Sequence, residues 1–144
     1  MNITGSIEIN RPIEEVFDYT NHSVEQWSLT VVEDRPTNSI EGKGATFFCA
    51  TQERGCRMEF DGVVTQWDPP NRSVVEMIGK NFDLRIEYRF QEIRGRTRVS
   101  QSSAANMKGF MKIVMYFIGW LMARQSARAV DQELQSLKQK MENG

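Results

Sequence analysis

With 144 residues and a formal net charge of −1, the chain is long enough to bury a core as one domain and needs no disulfide or metal to hold it. Its 18 basic residues are interspersed with 19 acidic ones, so no basic tract offers a nucleic-acid surface and no nucleic-acid partner is expected. Two cysteines and one histidine fall short of a metal cluster or a disulfide framework, and no cofactor is expected.

The first strand is expected over 3–9, where Ile3, Gly5, Ile7 and Ile9 alternate with Thr4, Ser6 and Glu8. The start of the chain lacks the basic run and apolar core of a signal peptide, so the expected location is the cytoplasm. Arg11-Pro12 then opens a helix. A proline suits the first helical position because its missing N–H would have no partner there. Glu14 and Glu15 meet the positive end of the helix dipole, and Ile13, Val16 and Phe17 supply the buried face. Asn21 is expected to cap a second short helix that ends at Trp27.

From there the period becomes two. Strands are expected over 29–32, 45–52, 56–67, 73–78, 82–93 and 97–105. Turn formers fill 36–44, and Glu53-Arg54-Gly55 reads as a hairpin turn. Cys49 and Cys56 flank that turn. They either pair across the hairpin or lie buried as small apolar thiols. In the strand that follows, Cys56, Met58 and Phe60 share one face, with Arg57, Glu59 and Asp61 on the other. Gly62 breaks this alternation and suggests a bulge or a bend. Asp68-Pro69-Pro70-Asn71 must end the strand, since two prolines cannot donate to a ladder. The strand at 73–78 has no clean alternation, which leaves the direction of Glu76 open. The strand at 82–93 has the clearest: Phe82, Leu84, Ile86, Tyr88 and Phe90 face one way.

A helix is expected from 107 or 110 to 141. Its second half is amphipathic, with Ala123, Ala127, Val130, Leu134, Leu137 and Met141 in one stripe. The first half is apolar on three sides: Phe110, Val114, Phe117 and Leu121; Ile113, Tyr116 and Trp120; Met111, Met115, Ile118 and Met122. One sheet cannot cover three stripes. The loops near Trp27, a partner subunit or a lipid surface would meet the remainder. The unbroken apolar run 113–123 is shorter than the ~20 residues of a spanning helix, and Lys112 and Arg124 bound it.

This order predicts an α+β domain covering 1–144: a curved seven-stranded antiparallel sheet gripping a long C-terminal helix, with two short helices between strands 1 and 2. Four stretches carry a family resemblance. RPIEEVFDY at 11–19 resembles the start of START-like (SRPBCC) helix-grip proteins. FDGVVTQWDPP at 60–70 is similar to the strand and corner of their polyketide cyclase/dehydrase branch. Tyr88-Arg89-Phe90 with Arg96-Thr97-Arg98-Val99-Ser100 resembles its paired strands, and ELQSLKQKME at 133–142 is similar to the end of its closing helix. The resemblance implies a cup between sheet and helix, with members that bind hydrophobic ligands, carry lipids or quinones, or cyclise polyketides. It transfers no catalytic residue.

The expected ligand wall comprises Phe47, Cys49 and Thr51, then Met58 and Phe60, then Leu84, Ile86 and Tyr88, then Gln101 and Ser103. The helix adds Phe110, Val114, Phe117 and Leu121. Apolar bulk with a few orienting polar groups suits a small-molecule site, although the same residues would equally make a filled core. No Ser/His/Asp set, phosphate loop or metal spacing occurs. His22 is expected at the start of the second helix, and Asp61, Asp83 and Glu87 on the solvent face. The leading function is therefore non-enzymatic binding or carriage of a small hydrophobic molecule, such as a lipid, a quinone or a polyketide-like compound. A cyclase or dehydratase is the alternative and needs an inward acid or base, Glu76 or Tyr88. A third reading is a homodimer or a peripheral membrane contact through Met111, Met115 and Met122, beside Lys108 and Lys112.

Overall fold

The computed structural model describes residues 2–53 and 55–143; in the last helix it describes the side chains of 113 and 127–143 only. The elements are β1 (Asn2–Ile9), α1 (Ile13–His22), α2 (Val24–Trp27), β2 (Val31–Pro36), β3 (Thr46–Glu53), β4 (Cys56–Asp68), β5 (Arg72–Gly79), β6 (Phe82–Ile93), β7 (Arg96–Met107) and α3 (Phe110–Asn143). The seven strands form one curved antiparallel sheet in the order β1-β7-β6-β5-β4-β3-β2. From β2 to β7, consecutive strands pair through hairpin connections. β1 and β2 occupy opposite edges, so α1 and α2 carry the chain from one edge to the other.

The main core lies where α1 and the end of α3 meet the β1–β7–β6 side. Ile13, Val16 and Phe17 of α1 and Val130, Leu134, Leu137 and Met141 of α3 pack with Ile9, Phe90, Val99 and Trp27. From Val130 onward the amphipathic stripe expected in the second half of α3 is thus the face it buries; Ala127 is half-buried, and Ala123 lies outside the described side chains. Ile113, on the first half, is exposed; the other members of that half's three apolar stripes lie outside the described side chains.

Several local expectations change, each for a physical reason. Pro12 is the N-cap residue of α1 rather than its first helical residue. Asn21 lies inside α1, where its Nδ2 donates to the Phe17 carbonyl (2.8 Å) and its Oδ1 accepts from Ser73 Oγ (2.8 Å); Ser23 occupies the N-cap of α2. β2 starts later than 29 because side chains take the backbone donors there. Ser28 Oγ accepts from the Thr30 and Val31 amides (3.2 and 3.1 Å), and Glu133 Oε1 accepts from that of Leu29 (2.6 Å). β2 then runs to Pro36, which an edge strand tolerates. Gly62 is not a bulge. A Cβ there would overlap the Phe47 ring, so its role is close approach, and the register shift falls between Val64 and Gln66. Cys49 is buried and Cys56 exposed, and the two are free thiols.

Gly5 sets the distance between α3 and the sheet. A Cβ on Gly5 would lie 2.9 Å from Val130 Cγ1, 3.0 Å from Asp131 Oδ1 and 3.4 Å from Leu134 Cδ1. Gly5→Val is expected to push the helix away and to lower stability by about 1–3 kcal/mol, the usual effect of overpacking. Urea denaturation measures this; a midpoint equal to that of the parent would show that the contact is not limiting.

Candidate functional site

The register places every strand residue of the expected wall on the concave face. Phe47, Cys49 and Thr51 of β3 lie opposite Gly62, Phe60 and Met58 of β4. Leu84, Ile86 and Tyr88 of β6 lie opposite Ala105, Ser103 and Gln101 of β7. Between these pairs run Val75 and Met77 of β5, opposite Ile86 and Leu84. This β5 row escaped sequence reading because Val74 and Ile78, on the convex face, are equally apolar and hide the alternation. The same register settles Glu76: it pairs with Arg85, points to the convex side and is exposed. Phe110, Val114, Phe117 and Leu121 lie outside the described side chains.

The wall has a buried floor and a half-covered flank. Cys49, Phe60 and Met77 form the floor. Phe47, Met58, Val75, Phe82, Leu84 and Ile86 pack around it yet remain partly exposed. A filled core would bury such residues completely.

Polar groups gather on the same side. Gln101 is 8% exposed. Its Nε2 donates to Ser103 Oγ (3.1 Å), while its Oε1 is buried without a partner. Thr51 Oγ1 and, on α1, Thr20 Oγ1 are likewise buried and unpartnered. Tyr88 stands directly across from Gln101. Burial first, then the charges of Glu133 and Cys49, push its phenol above the ordinary range, so it stays neutral. Burial, with Asp34 and Glu25 adding repulsion, pushes the Cys49 thiol up to about 12. That is the opposite of what a nucleophilic thiolate needs.

Sequence reading missed Glu133. It lies on the flank of an amphipathic helix with no motif to single it out, and only the fold brings it to the α2–β2 corner. Its Oε2 accepts from Ser28 Oγ (2.5 Å) and its Oε1 from the Leu29 amide (2.6 Å). Burial raises its pKa, Glu53 raises it further, and the hydrogen bonds from Ser28, Leu29 and Thr30 act in the other direction. Asp34, on β2, is also raised, by burial and then by Glu25. Among the described residues no cation pairs with Glu25, Asp34, Glu53 or Glu133.

Two expectations about charged residues need correction. His22 ends α1 rather than starting α2; its Nδ1 lies 2.9 Å from Asp18 and its ring packs edge-on to Trp67. Glu87 faces the convex side, as expected, but it is buried rather than solvated. Arg72 (2.8 Å), Arg89 (2.6 Å) and Arg85 (3.5 Å) surround it. Burial pushes its pKa up, and the Arg72 hydrogen bond with the charges of Arg89, Arg72 and Arg85 outweighs that to hold it low. Arg72 and Arg89 face each other directly, so Glu87 relieves a like-charge pair. The convex groove beside it, about 580 Å³, is lined by Ser100, Ser102, Ser6 and Arg89 among others. No large apolar side chain lines it, so it offers an apolar ligand little to pack against.

A family model described as "Polyketide cyclase / dehydrase and lipid transport" matches residues 1–142. The chain belongs to this family. Solved structures agree on the fold. A protein of Thermus thermophilus is 15% identical, with 96% of this chain and 95% of that one covered and a TM-score of 0.82. A START superfamily protein from Mycobacterium smegmatis is 10% identical, with 99% and 97% covered and a TM-score of 0.83. The di-domain ARO/CYC StfQ from the steffimycin biosynthetic pathway is 13% identical, with 95% of this chain and 49% of that one covered and a TM-score of 0.74. No curated protein matches the chain. The polyketide cyclase/dehydrase and lipid transport family supports a hydrophobic ligand-binding fold, and among the described residues no helix is long and apolar enough to cross a membrane.

The raised pKa of Glu133 gives a test of how deeply it is desolvated. Below the ordinary value of 4.5 the group is neutral in both folded and unfolded chains. Between that value and its raised folded value, only the folded chain holds the proton. Stability therefore falls as pH rises through this window. Glu133→Gln, which keeps an acceptor for Leu29, is expected to make the decline shallower, leaving the part due to Asp34, and to be at least as stable as the parent at neutral pH. Chemical denaturation across that pH range measures it; parallel profiles for the two proteins would show that the carboxylate is effectively solvated.

Proposed function

We propose that the chain binds and carries a small apolar molecule against the concave face of its sheet. The observation that carries this reading is the half-covered apolar flank of Phe47, Met58, Val75, Phe82, Leu84 and Ile86 around the buried floor of Cys49, Phe60 and Met77. Apolar side chains on the inner side of a sheet leave water only when something covers them, and an apolar ligand gains from doing so. The family's description, which includes lipid transport, supports the same reading.

The cyclase or dehydratase alternative is weaker on this geometry. Glu76 faces outward. Tyr88 faces inward, but its pKa is raised, which suits a hydrogen-bond donor rather than a base. Cys49, also inward, is held as the thiol.

Binding should appear as thermal stabilisation. A ligand at a hundredfold excess over its Kd adds about 2.7 kcal/mol, which for a domain of this size raises the Tm by about 5–10 °C. A panel of neutral lipids, quinones and polycyclic aromatics screened by thermal melting tests this. Ile86→Trp, which would fill the flank, is expected to abolish the shift while leaving the unliganded protein folded. If no compound in the panel moved the Tm, the binding role would be withdrawn.

A further inference from the structure

The inner wall holds a buried amide oxygen with nothing to accept from, Gln101 Oε1. Its own Nε2 is already engaged with Ser103, so the amide cannot turn its donor towards the gap without breaking that bond. Directly opposite, on the neighbouring strand, stands Tyr88, with side chains close enough across a paired position to serve one group. Among the described residues the Tyr88 hydroxyl makes no hydrogen bond. A buried acceptor left unpaired is unfavourable, and such groups are rarely left without a partner. The pair offers one acceptor and one neutral donor. A hydroxyl group, which both donates and accepts, answers both at once.

Charge narrows the choice further. Asp34 stands opposite Cys49 of the wall on the paired strand, Glu25 accepts from the Asp34 amide, and Glu133 accepts from Ser28 and Leu29 at the corner that leads into the same strand. Glu133 lies close enough that its charge acts on Tyr88 and that of Glu53 acts on it. These four acids have no described cation partner. A second negative charge brought among them would meet repulsion in a poorly solvated place.

Resting on the reading of the concave face as a binding site, we propose that its occupant is an uncharged apolar molecule carrying a hydroxyl group, which donates to Gln101 Oε1 and accepts from Tyr88. The acidic flank at Glu133 excludes analogues that carry a carboxylate. The site thus separates apolar alcohols and phenols from fatty-acid-like anions of similar size.

Three matched probes, 2-methylnaphthalene, 2-naphthol and 2-naphthoate, compete for bound Nile red at neutral pH. The expected order is naphthol, then methylnaphthalene, then naphthoate, with naphthol ahead of methylnaphthalene by about tenfold, the yield of one or two good hydrogen bonds. Gln101→Leu, of similar size, removes naphthol's advantage and leaves methylnaphthalene unchanged. Tyr88→Phe, which keeps the ring, reduces the same advantage. Glu133→Gln raises affinity for naphthoate alone. Equal displacement by all three probes leaves apolar binding intact and overturns the hydroxyl assignment. So does a preference for naphthol that survives both Gln101→Leu and Tyr88→Phe. If neither Nile red nor any probe binds, the binding site itself is lost and this assignment goes with it.

Discussion

The interaction on which the rest of the architecture depends is the seating of α3 between the two edges of the sheet. On one side, Gly5 removes the side chain that would hold the helix away from β1, and Val130 and Leu134 fill the space. Lys138 Nζ adds a bond to the Glu8 carbonyl (2.8 Å), and Glu142 accepts from the Asn10 amide (2.8 Å). On the other side, Glu133 holds Ser28 and Leu29, and Ser136 Oγ donates to the Trp27 carbonyl (2.6 Å). The last turns of one helix therefore tie β1 to the corner that leads into β2, although these strands lie at opposite ends of the sheet order. The same helix thus holds both edges of the sheet.

That clamp divides the concave side into two regions with different physical character. Where α1 and the end of α3 cover it, the sheet supports an ordinary core: Ile9, Val16, Val99 and Leu137 are inaccessible to water, and each such side chain contributes about 1.5–3 kcal/mol. Beyond Tyr88 the inner face keeps apolar side chains partly open. The stable half carries the fold, so the other half need not be filled to keep the chain folded. The binding surface proposed there can keep its incomplete packing because the core offsets it.

The sequence was most legible where one face of an element is wet. The strands with clean alternation, 3–9 and 82–93, and the amphipathic half of α3 fell where the period put them, with the correct faces. The inner residues on β3, β4, β6 and β7 followed from the same rule. Legibility failed where the physics is not periodic. In β5 both faces carry apolar residues, since Val74 is buried on the convex side beside the Glu87 cluster. At 28–30 side-chain hydrogen bonds displaced the ladder. Gly62 signals equally a bulge and a close approach, and only the Phe47 ring distinguishes them. Glu133 had no local signature, because its environment is made by residues about a hundred positions away.

The polar groups on the two faces of β6 illustrate what burial demands. On the convex face Glu87 is nearly inaccessible and charged, and three arginines surround it. On the concave face its neighbour Tyr88 is half-buried and the facing Gln101 is withdrawn from water, yet among the described residues Ser103 alone partners the Gln101 amide. A protein that satisfies a buried charge with three cations has the means to satisfy a buried amide. The difference between the faces lies in what each is left to meet. Glu87 is completed by its arginines and contributes to stability, whereas Gln101 Oε1 has no partner among the described residues, and in the proposed reading the hydroxyl of a ligand supplies it. An inner wall of this kind is less stable empty than occupied, and that difference in free energy is what the wall can use for selective binding.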